Sequence, residues 1–373
     1  DAPKLYGDGN TDPAIAWVSV CAHQRQAVTR AGAGRFEGGS VWATLRPLKE
    51  EPIFTEAETL PLSPSAVSLY MKCPRQFYYK QVLRLPEEDS DAANIGTLVH
   101  ALLETFNQGF GQQPYTKERL LALTDQLFSF QADADTAFPG WVLDILRAQN
   151  PLKLSDLKHQ VREAIEDLDR KDYFATFAGS RAILPEVALE KFQLDGMPRV
   201  TFSGKIDALV EDPTGGWHVI DYKYYGGNAY GTALKRAEDN FRKVLDPLPE
   251  ADSHEERFRD RLKSDAPKDY QLLIYYLALQ QKPEYAGKLK SAALQIVRPQ
   301  FPDNAEQGAI RLSLDGAAID AALTQVVADL KRHVADPVLA STAFETNTDM
   351  FRCGYCSYAA ICDGAGSADE EGL

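Results

Sequence analysis

The clearest hydrophobic pattern in the chain predicts an amphipathic helix over residues 94–109. Its apolar residues recur three and four positions apart, the spacing of one helix face: Ile95, Leu98, Val99, Leu102, Leu103 and Phe106. His100, Glu104 and Asn107 fall on the opposite side, about one turn apart. A shorter helix is predicted over residues 63–73, because a serine N-cap followed by proline is a typical helix start.

From residue 183 the apolar period changes from that of helices to that of strands. The further predicted elements are helices within 116–178, a strand near 187–194, a strand over 199–211, a turn at 212–216, a strand over 217–222, a helix over 270–280, a strand over 292–297 and a helix over 315–335. This order predicts an α/β fold, in which helices flank a central mixed sheet and residues 110–180 form a helical insertion.

The domain organisation is predicted from the less patterned stretches. Residues 50–62 are acidic with two prolines, which predicts a linker, and 1–60 as a whole are expected to be a linker or the remnant of a preceding domain. The missing initiating Met suggests a fragment of a longer polypeptide. Residues 61–363 form the main domain, with a charged, mobile segment at 226–268. The small and acidic tail 364–373 is predicted to be disordered.

Composition narrows the class of protein. The chain has 373 residues with 44% hydrophobic and 25% charged residues, an ordinary globular balance, and no apolar run long enough to span a membrane. A net charge of −14 argues against a generally basic nucleic-acid binder, although a local basic groove stays compatible with it. Five cysteines suit a secreted disulfide framework poorly, so a reducing cytoplasm is the expected compartment.

Four of the cysteines form a metal-ligand pattern. Cys73 stands alone, and Cys353, Cys356 and Cys362 follow near the other end with the spacing C-x2-C-x5-C. Four thiolates suit either a [4Fe–4S] cluster or a structural zinc ion, and either would tie the two ends of the domain together. Cys21 is expected to be a buried small hydrophobic residue.

A second pattern places two carboxylates and an ammonium on neighbouring strands. Asp221 and Lys223 share one face of a strand while Tyr222 faces away, and the hairpin at 212–216 brings Asp207 close to Asp221. Two carboxylates with open positions suit Mg²⁺ or Mn²⁺. A lysine beside them is able to orient water and offset charge on a phosphate. The alternative is a solvated strand edge with an exposed salt bridge.

These residues resemble the RecB-like branch of the PD-(D/E)xK nuclease superfamily over roughly residues 62–363. That branch has a helix histidine, a G-x-x-D strand, a D-x-K strand and a helix with Q-x-x-x-Y. The same order occurs here in His100, Gly204 to Asp207, Asp221 to Lys223, and Gln271 to Tyr275. The resemblance implies a restriction-endonuclease-like core. The chain departs from the family after Lys223, where Tyr224 and Tyr225 replace the usual Thr-Gly.

The resemblance also implies a role for each matching residue. His100, Asp207 and Asp221 would ligate the divalent metal, and the backbone carbonyl of Tyr222 would add an oxygen. Lys223 would be the catalytic lysine.

Three further positions follow from the same resemblance. Gln271 and Tyr275, one helical turn apart, would position the DNA backbone near the metal. The family has an acidic residue before the G-x-x-D strand. Glu190 is the residue assigned to that catalytic position, with Glu186 on the same strand face as the open alternative.

The cysteine pattern resembles the iron–sulfur subset of the family, found in AddB-type helicase–nucleases and in CRISPR-adaptation nucleases. The local match is strongest at residues 62–65 and 72–78. The resemblance favours [4Fe–4S] over zinc, as a structural staple at the C-terminus. The aromatic and basic stretch 75–80 would contact DNA or pack around the cluster, and both interpretations stay open.

The function implied is a metal-dependent DNA nuclease that cleaves by in-line attack of water on a phosphodiester. It is expected to be an exonuclease on single-stranded DNA or helicase-unwound ends, in recombination, repair or DNA processing. A helicase in the same polypeptide or complex is the expected partner, and residues 1–60 would be its remnant. Two alternatives remain: a catalytically silent iron–sulfur DNA-binding module, and a stand-alone CRISPR-adaptation nuclease.

Overall fold

The computed structural model describes residues 52–87, 91–129, 138–224, 270–297, 309–313, 317–341, 344–346, 353 and 356–362. The predicted segment 1–60 is therefore described only from residue 52. Cys21, the charged segment 226–268 and the acidic tail 364–373 lie outside the described residues. The proposed division into a preceding segment, a main domain and a tail stays a prediction.

The chain divides into two compact units. The sheet unit comprises, among described residues, 61–68, 91–129, 138–224, 270–297, 309–313 and 317–331. The cysteine unit comprises 52–60, 69–87, 332–341, 344–346, 353 and 356–362.

Six strands of the described chain form one mixed sheet. They are β1 (Leu60–Leu62), β2 (Ala182–Phe192), β3 (Val200–Glu211), β4 (Trp217–Tyr224), β5 (Leu289–Val297) and β6 (Ala309–Ser313). Their order is β1-β3-β4-β5-β6, with β2 also paired to β3. Neighbours are antiparallel at β2–β3, β3–β4 and β5–β6, whereas β4 and β5 are parallel. The predicted α/β class with a central mixed sheet is confirmed.

The prediction of a linker over 50–62 is wrong at its end, because Leu60–Leu62 form β1. Leu60 and Leu62 are both 2% exposed and alternate with an exposed Pro61. Three residues give only one period of that alternation, which is too short a pattern to distinguish from a loop.

The two units contain ten α-helices in the described ranges, and those of the sheet unit flank the sheet as the pattern predicts. The ten helices are α1 (Pro64–Lys72), α2 (Pro74–Phe77), α3 (Asp91–Gln108), α4 (Lys117–Phe128), α5 (Gly140–Arg147), α6 (Pro151–Arg170), α7 (Tyr173–Ala178), α8 (Gln271–Gln280), α9 (Ala317–Leu330) and α10 (Asp336–Ala340). π-helical turns at Tyr78–Val82 and Lys331–Ala335 follow α2 and α9. None of the helices in the described ranges is long and apolar enough to cross a membrane.

The helix starts carry the expected caps. Ser63 Oγ accepts from the backbone N–H of Ala66 at 3.1 Å, so α1 begins as predicted. Asn150 caps α6 in the same way, through a 3.0 Å bond from Lys153 N, with Pro151 at the first helical position.

Helix α3 is the centre of the main core. All six residues of its predicted apolar face are at most 3% exposed, and they pack with α4 to α7 and with one face of the sheet. Asn107, on the face opposite the apolar one, is nevertheless buried, with 1% of its surface exposed. Its amide is hydrogen-bonded to the buried Tyr222 and the half-buried Tyr115, which offsets the cost of burying it.

The hairpin between β3 and β4 sets the register of the candidate site. Asp212 Oδ1 accepts from the backbone N–H groups of Thr214 (2.7 Å) and Gly216 (3.0 Å). His218 lies between Asp212 Oδ2 at 3.0 Å and Ser291 Oγ at 2.7 Å, which fixes the start of β4 to both neighbours. The resulting pair Ala208–Ile220 places Asp207 and Asp221 one position further along facing strands.

The cysteine unit is built on aromatic packing around short helices. Tyr78 stacks on Phe344 with ring centroids 5.1 Å apart, and Phe77 lies 5.9 Å from the same ring. Arg75 is buried, and its Nε donates to Phe344 O at 2.6 Å. Of the two interpretations of the stretch 75–80, packing therefore describes its buried members, while Lys80 stays exposed.

Candidate active site

The two strands of the hairpin deliver the charged groups of the site. Asp221 is 1% exposed, and its Oδ2 lies 2.8 Å from Lys223 Nζ. The two side chains share one face of β4, as the alternation of a strand predicts. Lys223 keeps 30% of its side chain exposed, so the ammonium lies between a buried carboxylate and solvent.

Helix α8 holds this ion pair from one side. Gln271 Oε1 accepts from Lys223 Nζ at 2.9 Å, while Gln271 Nε2 donates to Asp221 Oδ1 at 2.8 Å. The same Nε2 donates to the hydroxyl of Tyr275 at 3.0 Å, one helical turn away. Burial raises the pKa of Tyr275, so its hydroxyl stays neutral. One amide thus orients both members of the ion pair, and a DNA-positioning role for Gln271 and Tyr275 stays a prediction.

His100 and Asp207 meet at the other side of the site. His100 Nδ1 lies 3.5 Å from Asp207 Oδ2, which also accepts from the backbone N–H of Tyr222 at 2.7 Å. Burial opposes a charge on His100, but the hydrogen bond and the charge of Asp207 outweigh it, so the pKa of His100 is raised. The ring of His100 also meets the Tyr222 ring edge-on, with centroids 6.0 Å apart.

These donors fit a hard divalent cation. Two carboxylates, an imidazole and a backbone carbonyl are the ligand types that hold Mg²⁺ or Mn²⁺ when water and substrate oxygens complete the shell. In the described part of the chain, no three His, Cys, Asp or Glu side chains converge closely enough to enclose an ion by themselves.

Lys205, a basic residue beside the site, was not predicted from the sequence, whereas Glu186 was named as an alternative acidic residue. Lys205, two positions before Asp207 on the same strand, forms an ion pair with Glu186, and this carboxylate raises its pKa. Glu186 adopts φ +53°, a left-handed conformation rare for a non-glycine residue. Burial, and then the charge of Glu186, raise the pKa of Glu104. Glu190 lies exposed further along β2, and its catalytic role stays a prediction.

Close packing explains why a glycine, Gly204, stands at the first position of the G-x-x-D strand. A Cβ atom on Gly204 would lie 3.2 Å from Pro64 Cδ and 3.3 Å from Tyr275 Cε1, both tighter than ordinary contact. The missing side chain lets the Tyr275 ring approach β3 closely enough for its hydroxyl to reach Gln271.

Four cysteines line one cavity in the cysteine unit: Cys73, Cys353, Cys356 and Cys362. Arg75, Gln76 and Tyr79 from one segment and Tyr358 and Ala359 from another complete its wall. Burial raises the pKa of the Cys356 thiol. The cavity brings together all four predicted ligands, and four thiols are the donor set that a [4Fe–4S] cluster or zinc requires.

Two segments far apart in the chain hold this cavity in place. The Tyr79 hydroxyl donates to Ile361 O at 3.2 Å, and the Tyr358 hydroxyl donates to Leu85 O at 2.8 Å. Their rings also pack together, with centroids 5.5 Å apart. These contacts bring Cys73 and Cys362 to one cavity although they are 289 positions apart in the chain.

A comparison with known families bears on the sheet unit and on the cysteine unit from residue 69 onwards. A family model described as the PD-(D/E)XK nuclease superfamily matches residues 61–363. No curated protein matches the chain with significance.

Proposed function

Since the chain belongs to the PD-(D/E)XK nuclease superfamily, we propose that it is a divalent-metal-dependent deoxyribonuclease that hydrolyses phosphodiester bonds. The observation that carries this proposal is that the amide of Gln271 is hydrogen-bonded to both members of the Asp221–Lys223 ion pair, an arrangement called the clamp below. A hydrolytic site needs a fixed carboxylate and an available ammonium at one place. The clamp supplies both, because Asp221 is buried while Lys223 keeps contact with solvent.

The proposed metal site consists of Asp207, Asp221, His100 and the carbonyl of Tyr222. The cation, when bound, would offset charge on the phosphate and favour deprotonation of water. Asp207 is suited to this because a backbone N–H already fixes its Oδ2. Asp221 is suited because Gln271 fixes its Oδ1.

Lys223 has the role of the catalytic cation. Its ammonium donates to Gln271 and faces Asp221, so its position is set before substrate arrives. An ammonium held there orients the attacking water and stabilises the additional negative charge of the pentavalent phosphate. Preorganisation of this kind requires no rearrangement at the moment of reaction.

We propose single-stranded DNA, or ends unwound by a helicase, as the substrate, with cleavage acting as an exonuclease in recombination or repair. The support is the resemblance of the site motifs and cysteine pattern to helicase-associated nucleases. A net charge of −14 also requires the grip on phosphate to be local. Lys205 is a local cation of this kind. It lies two residues from Asp207, and 56% of its side chain is exposed.

We further propose that Cys73, Cys353, Cys356 and Cys362 bind a [4Fe–4S] cluster with a structural role. The support is that all four line a single cavity. Aromatic packing by Tyr79 and Tyr358 holds the two contributing segments together.

The nuclease proposal is tested on single-stranded DNA labelled at the 5′ or the 3′ end, with Mg²⁺ or Mn²⁺, on protein purified without oxygen. Lys223→Met keeps the length of the side chain and removes its charge, and Lys288→Met is the matched control at an exposed turn. We expect wild type and the control to cleave, chelation to stop both, and Lys223→Met to be slower by about 10²–10³-fold. The label lost first gives the polarity.

Two results would count against this assignment. A folded, cluster-loaded wild type that binds the DNA without cutting it, even with a helicase supplying ends, favours the silent DNA-binding module. Cleavage by Lys223→Met at the wild-type rate removes the lysine from the chemistry. Iron and sulfide analysis of the same preparations separates the cluster from zinc, since zinc has no visible absorbance of its own.

A further inference from the structure

We propose that Asn107, Tyr115, Tyr173 and Tyr222 form a hydrogen-bonded ring that positions the D-x-K strand for metal binding. This inference rests on the proposed function and deepens it, since the ring would set the separation of metal ligands that come from different elements. The four are positioning residues, because they act through His100, Asp207 and Asp221.

The ring is closed and lies against the helical face of the sheet. Asn107 Nδ2 lies 3.0 Å from the Tyr222 hydroxyl, and that hydroxyl lies 2.8 Å from the Tyr173 hydroxyl. Tyr173 is 3.1 Å from the Tyr115 hydroxyl, which is 2.9 Å from Asn107 Oδ1. Asn107, Tyr173 and Tyr222 are each at most 3% exposed. Solvent therefore cannot replace a partner that is lost.

One arrangement of protons satisfies every member. Each hydroxyl has a single proton, and the Asn107 carbonyl oxygen only accepts. Tyr115 therefore donates to Asn107 and accepts from Tyr173. Tyr173 in turn accepts from Tyr222, and Tyr222 accepts from Asn107 Nδ2, which closes the ring. Because each member of the ring donates to the next, a displacement of one member distorts the hydrogen bonds of its neighbours.

Tyr222 connects this ring to the proposed metal ligands. It lies between Asp221 and Lys223 in sequence, its backbone N–H donates to Asp207 Oδ2, and its ring meets the ring of His100. Its hydroxyl anchors the side chain to helices α3 and α7. The side chain that faces away from the chemistry therefore fixes the backbone on which the chemistry depends.

Helix α3 links the ring to the site a second time. Asn107 follows His100 by seven positions, which is two helical turns on the same face and about 10 Å along the axis. Holding Asn107 against Tyr222 therefore fixes both the height and the rotation of His100 relative to β4.

The test removes one hydroxyl and keeps everything else. Tyr222→Phe retains the ring contact with His100 and the backbone bond to Asp207. Tyr276→Phe is the matched control, because it is a buried tyrosine on α8 whose hydroxyl bonds Gln280 outside the ring. We expect Tyr222→Phe to lower kcat by about 10–100-fold with little change in KM for DNA, while the control keeps wild-type kinetics.

Two readouts do not depend on cleavage. Mn²⁺ affinity, measured by electron paramagnetic resonance of the free ion, should fall by about tenfold in Tyr222→Phe. Hydrogen exchange of the segment Trp217–Tyr224 should accelerate, because β4 loses the anchor of the Tyr222 hydroxyl on α3 and α7. Neither should change in Tyr276→Phe.

A second variant keeps the inference falsifiable if Tyr222→Phe folds poorly. The double variant Tyr222→Phe with Asn107→Leu removes both the donor and the acceptor of the Asn107–Tyr222 hydrogen bond. Because no buried amide is then left unsatisfied, its stability should recover relative to Tyr222→Phe alone. A positioning ring predicts that Mn²⁺ affinity and kcat stay low in the double variant. Recovery of both together with stability overturns the inference. A wild type that binds Mn²⁺ but never cleaves DNA counts against the nuclease proposal, and the Mn²⁺ comparison still decides the ring.

Discussion

The candidate active site and the cysteine cavity differ in what holds their functional groups. In the active site, Asp221 and Lys223 are fixed by Gln271, a side chain on another element of the fold. In the cysteine unit, the thiols line a cavity whose walls include the four-residue helix α2 and the three-residue 3₁₀ turn Ala359–Ile361. Aromatic rings such as Phe344 fill the space around those helices.

The difference teaches that the contacts that fix the proposed catalytic residues are separate from the contacts that stabilise the cysteine unit. Helices shorter than about 12 residues are marginal alone, so the cysteine unit depends on tertiary packing and on whatever ties its thiols together. The active site is held by the mixed sheet, by the 18-residue helix α3 and by α8, and the apolar residues of both helices pack in the core. Changes in one unit should therefore leave the defining property of the other intact.

Loss of the metal proposed at the cysteines is expected to have the largest effect. Structural metal sites contribute on the order of 10 kcal/mol to folding, so Cys356→Ser should lose visible absorbance and expose the cysteine unit to protease. Cys21→Ser should keep both wild-type properties. Proteolysis followed by mass spectrometry locates the cuts, and cuts concentrated in β3 and β4 would contradict separate supports.

Loss of the buried carboxylate is the matching change in the active site. Asp221→Asn should reduce cleavage by about 10³-fold, because it removes a charged ligand from the proposed metal site. Iron content and protease resistance of the cysteine unit should stay at the wild-type level. Asp144→Asn, on the exposed side of α5, is the control. A parallel loss of iron would show that the two regions share their support.

A smaller effect is expected when the orienting amide is removed. Gln271→Leu leaves Asp221 and Lys223 in place without their common partner, and it should lower kcat by about 10–100-fold. Gln280→Leu on the same helix, where the amide bonds Tyr276 instead, should be close to wild type. Equal activity of the two variants would mean that the ion pair positions itself.

The smallest effect is expected at the hairpin. Hydrogen bonds from Thr214, His218 and Gly216 hold the pKa of Asp212 well below its usual range. Its contribution to stability is therefore full above the ordinary aspartate pKa and is lost as pH falls towards the lowered value. Asp212→Ala should lower the melting temperature by roughly 2–4 °C near neutral pH, with a smaller difference in acid.

Asp195→Ala, at an exposed turn, is the control for this hairpin variant. Calorimetry across pH should show the destabilisation by Asp212→Ala shrinking on acidification. A difference that grows in acid would reverse the sign assigned to the carboxylate.

Much of the site follows from local sequence rules. Two residues apart on a strand share a face, and four apart on a helix do too, which is enough to group Asp221 with Lys223 and Gln271 with Tyr275. The bond between Lys223 and Gln271 requires the tertiary packing of α8 on β4, and only the motif order of a known family anticipates it.

The ring shows what local rules miss. Asn107 and Tyr222 are 115 positions apart, and neither has a sequence neighbour that indicates a hydrogen bond. Asn107 is polar, so the helical pattern places it on the solvent face, although its amide is satisfied inside the core. The left-handed backbone of Glu186 is also not anticipated, because the sequence alone gives no preference for a left-handed residue at that position of β2.

The close approach of Gly204 to Tyr275 has a consequence for the evolution of related chains. The two residues belong to separate motifs, yet the space at one is occupied by the ring of the other. A relative with alanine or serine at the first position should carry a smaller or displaced residue at the second. In an alignment of related chains, covariation between the positions of Gly204 and Tyr275 would therefore mark the relatives that keep this geometry better than the identity of either residue.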